Sequence, residues 1–209
     1  MSQNVAVNHL GMVPYEITWE KMKSFVESRD QNTRDEIWLL QHPPVFTLGM
    51  AGKEEHILRS SDIPVIHCDR GGQVTYHGPG QLVAYLLIDI ARRKIGVRKL
   101  VEMIEQAIIN LLNEYEIHSI GDRKAPGVYV DGKKIAALGL RVRRHSSYHG
   151  LSLNVDMDLS PFNQINPCGY PGLEVTQMRD LGVKDPIEKI QSRLQYHLFD
   201  VLGYTTTPT

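Results

Sequence analysis

The chain has 209 residues, enough for one large domain or two small ones, and its size favours a single domain over 1–209. With 42% hydrophobic and 22% charged residues the composition is ordinary and globular, and a formal net charge of −1 makes no electrostatic case for nucleic acid or an anionic membrane as partner. The longest apolar run, residues 82–90, is interrupted by Asp89 and is far too short to span a bilayer. The start, MSQNVAVNHLG, has no secretory pattern, so a cytoplasmic address with free thiols at Cys68 and Cys168 is expected.

In chain order, residues 5–10 predict a strand, and Pro14 opens a helix whose buried stripe is Tyr15, Trp19, Met22 and Val26. Residues 36–40 read as a strand, followed by QHPPVFTLG as a turn and an extended segment. Short strands are expected at 64–68 and 74–77, either side of the Arg70-Gly71-Gly72 turn. Residues 82–90 are apolar on both faces, as a central, covered strand should be. A long helix follows, with Val101, Ile104, Ile108, Leu111 and Tyr115 on one side.

From 127 to 156 the period becomes two, with the hairpin signal Asp131-Gly132 between strands at 127–130 and 133–143 and a third strand at 147–156. Residues 160–172 form a proline- and glycine-rich loop, and Pro186 opens a last helix to about Val201. Runs of strands with few long helices define an α+β class: a mixed, largely antiparallel central sheet with helices packed on it.

Four segments place polar residues beside apolar strands. The first is RGGQVTYHGPGQ, residues 70–81, whose glycines allow close backbone approach to a ligand and whose His77 lies between two tight turns. Such a loop is commonly only a turn, and the Gly-x-Gly-x-x-Gly fingerprint is not met. The second is the strand after Asp131-Gly132. By its period, Lys134, Ala136, Leu138, Leu140 and Val142 share one face, and Lys133, Arg141 and Arg143 the other. A lysine on an apolar face either reaches solvent through its stem or, if enclosed, becomes a proton acceptor near neutral pH.

The third segment is YHGLSLNVD, where parity turns His149 inward with Leu151, Leu153 and Val155. An inward histidine is commonly a hydrogen-bonded core residue. The fourth is NPCGYPG, which sets Cys168 between Pro167 and Gly169 in a loop, whereas structural cysteines sit in apolar stretches, as Cys68 does in PVIHC. A tolerated surface thiol is one reading of Cys168. A nucleophile activated by Lys134 is the other, and it requires the fold to bring loop and strand together.

Together these segments resemble the lipoyl(octanoyl) transferases, of the superfamily that includes lipoate and biotin protein ligases. The matching stretches are QHPPVFTLG, RGGQVTYHGPGQLVAYLLID, APGVYVDGKKIAALGLRVRR and YHGLSLNVDMDLSPFNQINPCGYPG, in family order from Gln41 to Gly172. The resemblance implies the biotin/lipoyl ligase fold and a catalytic dyad at Cys168 and Lys134, with the Lys-Ile-Ala motif selecting Lys134 over Lys133. It implies an acyl tunnel lined by Arg70, Gly71, Gly72, Gln73, Val74 and Thr75, with Tyr76 and His77 near the thioester. Ala137, Leu138 and Gly139 would line the other side with His149, Gly150 and Leu151, and His42 would stand at the mouth.

The donor implied is octanoyl–acyl carrier protein. The acceptors are apo lipoyl domains of 2-oxoacid dehydrogenases and the glycine cleavage H protein, with no cofactor and no metal. An ATP-dependent lipoate or biotin ligase on the same fold is the nearest rival. A cysteine hydrolase using His149 and Asp156, and a simple acyl-binding protein, stand behind it.

Overall fold

The computed structural model describes residues 5–205; the opening of MSQNVAVNHLG lies outside them. Among the described residues ten strands and three α-helices follow one another as β1 (Val5–Met12), α1 (Tyr15–Ser28), β2 (Asp35–Gln41), β3 (Val45–Leu48), β4 (Val65–His67), β5 (Val74–His77) and β6 (Gln81–Leu87). Then come α2 (Val97–Asn113), β7 (Ile120–Gly121), β8 (Gly127–Val130), β9 (Lys133–Arg143), β10 (Ser146–Asn154) and α3 (Ile187–Leu202). Seven strands form one sheet in the order β1-β2-β6-β10-β9-β8-β7, and β4-β3-β5 form a small second sheet. Only β1–β2 and β3–β4 run parallel among these pairs, so the α+β reading with a mixed, largely antiparallel sheet is correct.

The elements follow from local chemistry. Pro14 and Pro186 stand at the N-caps of α1 and α3, where a missing N–H costs nothing. Asp131 and Gly132 both adopt positive φ (48° and 80°), the requirement of the tight turn that joins β8 to β9. The two-residue β7, too short to show a period, is the strand that the sequence pattern does not reveal.

Alternation divides the large sheet's two faces. Ile37 and Leu39 of β2, Leu82 and Leu86 of β6, and Leu151 and Leu153 of β10 face α2 and α3, meeting Leu100, Ile104, Ile108, Leu194 and Leu198. Trp38, Leu40, Val83, Tyr85 and Tyr148 face the other way, against Tyr15, Met22 and Val26 of α1. The central strand β6 is therefore buried on both sides, as its unbroken apolar run requires. No helix among the described residues is long and apolar enough to cross a membrane.

Candidate active site

Cys168 sits on the single turn Pro167–Gly169 with a left-handed φ of 56°. The turn is closed by Gly169 N–H donating to Asn166 O (2.9 Å) and Tyr170 N–H donating to Pro167 O (3.1 Å). Beyond it the chain runs beside the start of β9. There Lys134 N–H donates to Glu174 O (2.9 Å), and Thr176 N–H donates to Lys134 O (3.0 Å). This backbone clamp brings loop to strand, and it leaves Lys134 Nζ 3.1 Å from Cys168 Sγ.

Lys134 is 3% exposed. Its ammonium also donates to Pro126 O at 3.3 Å and lies 5.1 Å from the centre of the Tyr129 ring. Burial works against the ammonium, but the interactions with Cys168 and, after them, Tyr129 together offset it, so the lysine pKa lies above its ordinary value. Lys133 points the other way and pairs with Glu174 at 2.9 Å.

Simple alternation puts Lys134 on the face of Ala136, Leu138, Leu140 and Val142, and here the structure corrects it. The β8–β9 register shifts between Val128 and Tyr129, which leaves Ile135 as an extra residue on β9. Ile135 joins Ala136 in the helix-side core, and Lys134 turns to the opposite face with Cys168 and Ala137. A bulge of this kind re-aims one side chain and leaves the rest of the strand in register.

Cys168 lines a narrow cavity of about 50 Å³ together with Arg70, Gly72, Gln73, Val74, Thr75 and His77. Ala137, Leu138 and Gly139 of β9 face them, beside His149, Gly150 and Leu151 of β10. Gly150 is required where it stands, because a Cβ there would meet Ala84 O and come within 2.7 Å of Leu86 Cδ1. The Arg70 guanidinium is engaged by β3 and by its own loop. It donates to Thr47 Oγ1 (3.0 Å), Thr47 O (2.5 Å), Gln73 O (2.7 Å) and Gly71 O (2.9 Å), and so shapes the wall.

Three of the expected residues do not form the wall. Gly71 lies behind it, its N–H donating to Leu140 O at 3.1 Å and holding the loop on β9. Tyr76 projects from the opposite face of β5 onto Phe46 and Phe162, with ring centres 5.6 and 5.5 Å away. His42, expected at the mouth, is fully buried and does not line the cavity. Its Nδ1–H donates to Val13 O (2.7 Å), its Nε2 accepts from Tyr85 OH (2.6 Å), and Tyr15 and His77 pack on its ring. A residue with both ring nitrogens bonded inside the protein is part of the scaffold of the cavity.

His149 departs from parity as well. A φ of 58° swings it away from Leu151, Leu153 and Val155 into a stack with Tyr148 and Tyr15, where Nε2–H donates to Asp69 Oδ1 at 3.0 Å. Burial lowers the His149 pKa despite this carboxylate, so the contact is a neutral imidazole on a carboxylate and not an ion pair at neutral pH. Burial works against the Asp69 charge, yet hydrogen bonds from His149, Tyr148 and Trp19 hold its pKa well below the usual range. Burial likewise brings His42 down to about 4 and His77 to about 3, leaving uncharged rings around the cavity.

Sequence reasoning did not single out Tyr85, Asp69 and Gln81. Tyr85 is the one aromatic ring within the 82–90 run, and Asp69 directly precedes Arg70. Gln81 Oε1 accepts from His77 Nδ1–H at 2.7 Å, and its amide donates to Asn154 Oδ1 at 3.0 Å.

This architecture is that of the lipoate and biotin protein ligases. The chain superposes on the crystal structure of a lipoate-protein ligase A bound with ATP with a TM-score of 0.80 at 14% identity, covering 100% of this chain and 89% of that one. A biotin protein ligase from Aquifex aeolicus gives 0.56 at 12% identity over 97% and 70% of the two chains. At such identities the likeness concerns the fold alone. Residues 14–199 match the lipoyl protein ligase A/B catalytic domain, and the chain belongs to that family. It is similar to the octanoyltransferase of Laribacter hongkongensis, with 59% identity over 92% of this chain and 93% of that protein. The octanoyltransferase of Stutzerimonas stutzeri is 56% identical over 100% and 95%.

Proposed function

We propose that this chain is an octanoyltransferase of lipoate biosynthesis, moving an octanoyl group from acyl carrier protein through a thioester on Cys168 to the target lysine of lipoyl domains. The observation that carries the reading is the 3.1 Å contact between a cavity-lining thiol and a buried ammonium. An ammonium at that distance is the counter-charge of a thiolate, which is the nucleophilic form. The thiolate attacks the donor thioester carbonyl, and the carrier's pantetheine thiol leaves with a proton from Lys134. The acceptor lysine amine then attacks the acyl-enzyme and loses a proton to the now neutral Lys134. Cys168 departs as thiolate and an amide remains, giving two-step covalent catalysis without ATP.

Neutral rings and aliphatic side chains suit the walls to an acyl chain, with His149 held by Asp69 and His77 by Gln81. One methylene in such a pocket is worth roughly 1–3 kcal/mol, so octanoyl is preferred with tolerance of neighbouring lengths. The chemistry needs a free thiol and belongs in a reducing compartment, the cytoplasm.

Intact mass after mixing with octanoyl–acyl carrier protein tests the proposal. One octanoyl gained, absent in Cys168→Ser and discharged by an apo lipoyl domain, supports it. Acylation of the domain only with ATP and free acid replaces it with the ligase reading.

A further inference from the structure

The helix α2 buries one carboxylate among aliphatic side chains. Glu105 is 8% exposed, on a face whose other buried members include Leu100, Ile104, Ile108 and Leu111. Enclosing a carboxylate there is costly unless it is hydrogen-bonded. Its Oε1 accepts the N–H of Gly127 at 2.9 Å. The carbonyl of that same peptide unit belongs to Pro126, and it accepts from Lys134 Nζ at 3.3 Å. One peptide group thus carries a carboxylate at its N–H end and the dyad's ammonium at its C=O end. Hydrogen bonds in series polarise one another, so a carboxylate on the N–H makes the carbonyl a stronger acceptor for the ammonium.

The seat is shaped for this arrangement on both sides. A Cβ at Gly127 would come within 3.0 Å of Lys134 Cε and 3.1 Å of Nζ. A Cβ at Gly121 would come within 2.9 Å of Glu105 Oε2. Both glycines leave room for the charged groups themselves.

We propose that Glu105 is a positioning residue, which acts through the peptide joining Pro126 to Gly127 to hold the Lys134 ammonium against Cys168. The inference rests on the proposed catalytic role of Lys134. Glu105 stays in place and exchanges no proton with substrate. The groups that act on its charge are Glu102 of its own helix, Asp122 of the loop after β7, and Lys134, while Arg98 and Arg123 line the adjoining surface cavity. Burial raises the Glu105 pKa, and the Gly127 N–H counters it in part.

The test uses the full chain and compares wild type with Glu105→Gln, which keeps the acceptor oxygen and removes the charge. Two rates are followed from neutral to alkaline pH: acylation of Cys168 by octanoyl–acyl carrier protein, and alkylation of Cys168 by iodoacetamide. The expected result is a shift of both pH profiles together by about one unit, a tenfold change in rate at fixed pH, with the carrier KM unchanged. In a Lys134→Ala background the same substitution has no further effect on either rate, because its influence passes through Lys134. Profiles that superimpose on wild type, or effects of the two substitutions that multiply, overturn the proposal.

Should Glu105→Gln fail to fold, Glu105→Asp takes its place. It keeps the charge but withdraws it from Gly127, and the same loss of coupling is expected. A wild-type chain that takes no octanoyl from the carrier overturns the transferase reading alone. The alkylation profiles then decide the role of Glu105 by themselves.

Discussion

The two faces of the seven-stranded sheet are built from different materials. Toward α2 and α3 the packing is aliphatic: Ile37, Leu39, Leu82, Leu86, Leu151 and Leu153 meet helix residues of the same kind. Toward α1 and the small sheet an apolar cluster that includes Met22, Val26, Trp38, Leu40 and Val83 is joined by buried polar groups, His42, His77, His149, Tyr85 and Gln81, tied into place by hydrogen bonds. Burial of apolar area stabilises wherever it occurs, whereas each buried polar ring needs a partner merely to break even. The α2/α3 face therefore carries the larger apolar core, and the opposite face adds to its own apolar cluster a shaped cavity of uncharged rings beside Lys134 and Cys168. Substitutions on the two faces should separate stability from activity.

The largest expected effect falls on activity alone. Cys168→Ser should abolish the acyl-enzyme and lower transfer by on the order of a thousandfold or more, while the half-buried turn keeps the stability of the fold within about 0.5 kcal/mol. Transfer measured with a lipoyl domain, beside a thermal melt, checks both halves. Leu194→Ala should do the reverse. This side chain is wholly enclosed, and its truncation should cost about 2–5 kcal/mol by denaturant unfolding. Turnover per folded molecule should stay within roughly twofold, since the residue shares no partner with the dyad. Equal losses of turnover in the two variants would dissolve the distinction between the faces.

The same contrast explains what the sequence discloses. The Asp131-Gly132 turn signal lets β8 and β9 be read off at 127–130 and 133–143, and the leading prolines disclose α1 and α3. Strand alternation breaks at the two places that matter most for the cavity. Ile135 is an ordinary strand residue, and nothing in its type announces that it is the extra one that turns Lys134 toward Cys168. His149 at φ 58° is held by contacts with Asp69 and the rings of Tyr148 and Tyr15, which lie far from it in sequence or carry no periodic signal. The segment chemistry nonetheless offered the thiol and the lysine as candidates, because a cysteine between proline and glycine and a lysine on an apolar strand are conspicuous by type, and the family resemblance paired them. His42 is the opposite case: its neighbours Pro43 and Pro44 suggest a loop, but Val13 O and Tyr85 OH bury it.

The buried imidazoles give the cavity side a pH dependence of its own. His42 at about 4 and His77 at about 3 are depressed from 6.5, so below 6.5 the unfolded chain takes up protons that the folded one refuses. Stability is complete above that value and declines as pH falls through it toward the folded-state values. Each ring should remove on the order of 2 kcal/mol by pH 5. Denaturant midpoints taken between neutral pH and pH 5 check this. A flat profile over that window would mean that the rings take up protons in the folded state and that the cavity does not stay uncharged.

The smallest effect sharpens the comparison within a single pair of neighbours. Lys133 and Lys134 are adjacent, yet one is buried on the dyad and the other pairs with Glu174 at the surface, where the partners' side chains are 49% and 66% exposed. Such a pair contributes roughly 0–1 kcal/mol, less in salt. Glu174 is not an idle partner, however, because its backbone oxygen takes the Lys134 N–H that aligns the Cys168 loop with β9. If the backbone clamp alone sets the 3.1 Å contact, Lys133→Ala leaves transfer within about twofold of wild type and stability within about 0.5 kcal/mol. A larger loss of transfer, deepening at high salt in wild type as well, would assign the alignment of the loop to the ion pair in place of the clamp. The two lysines would then be one device, and not a catalytic group beside a solvated charge.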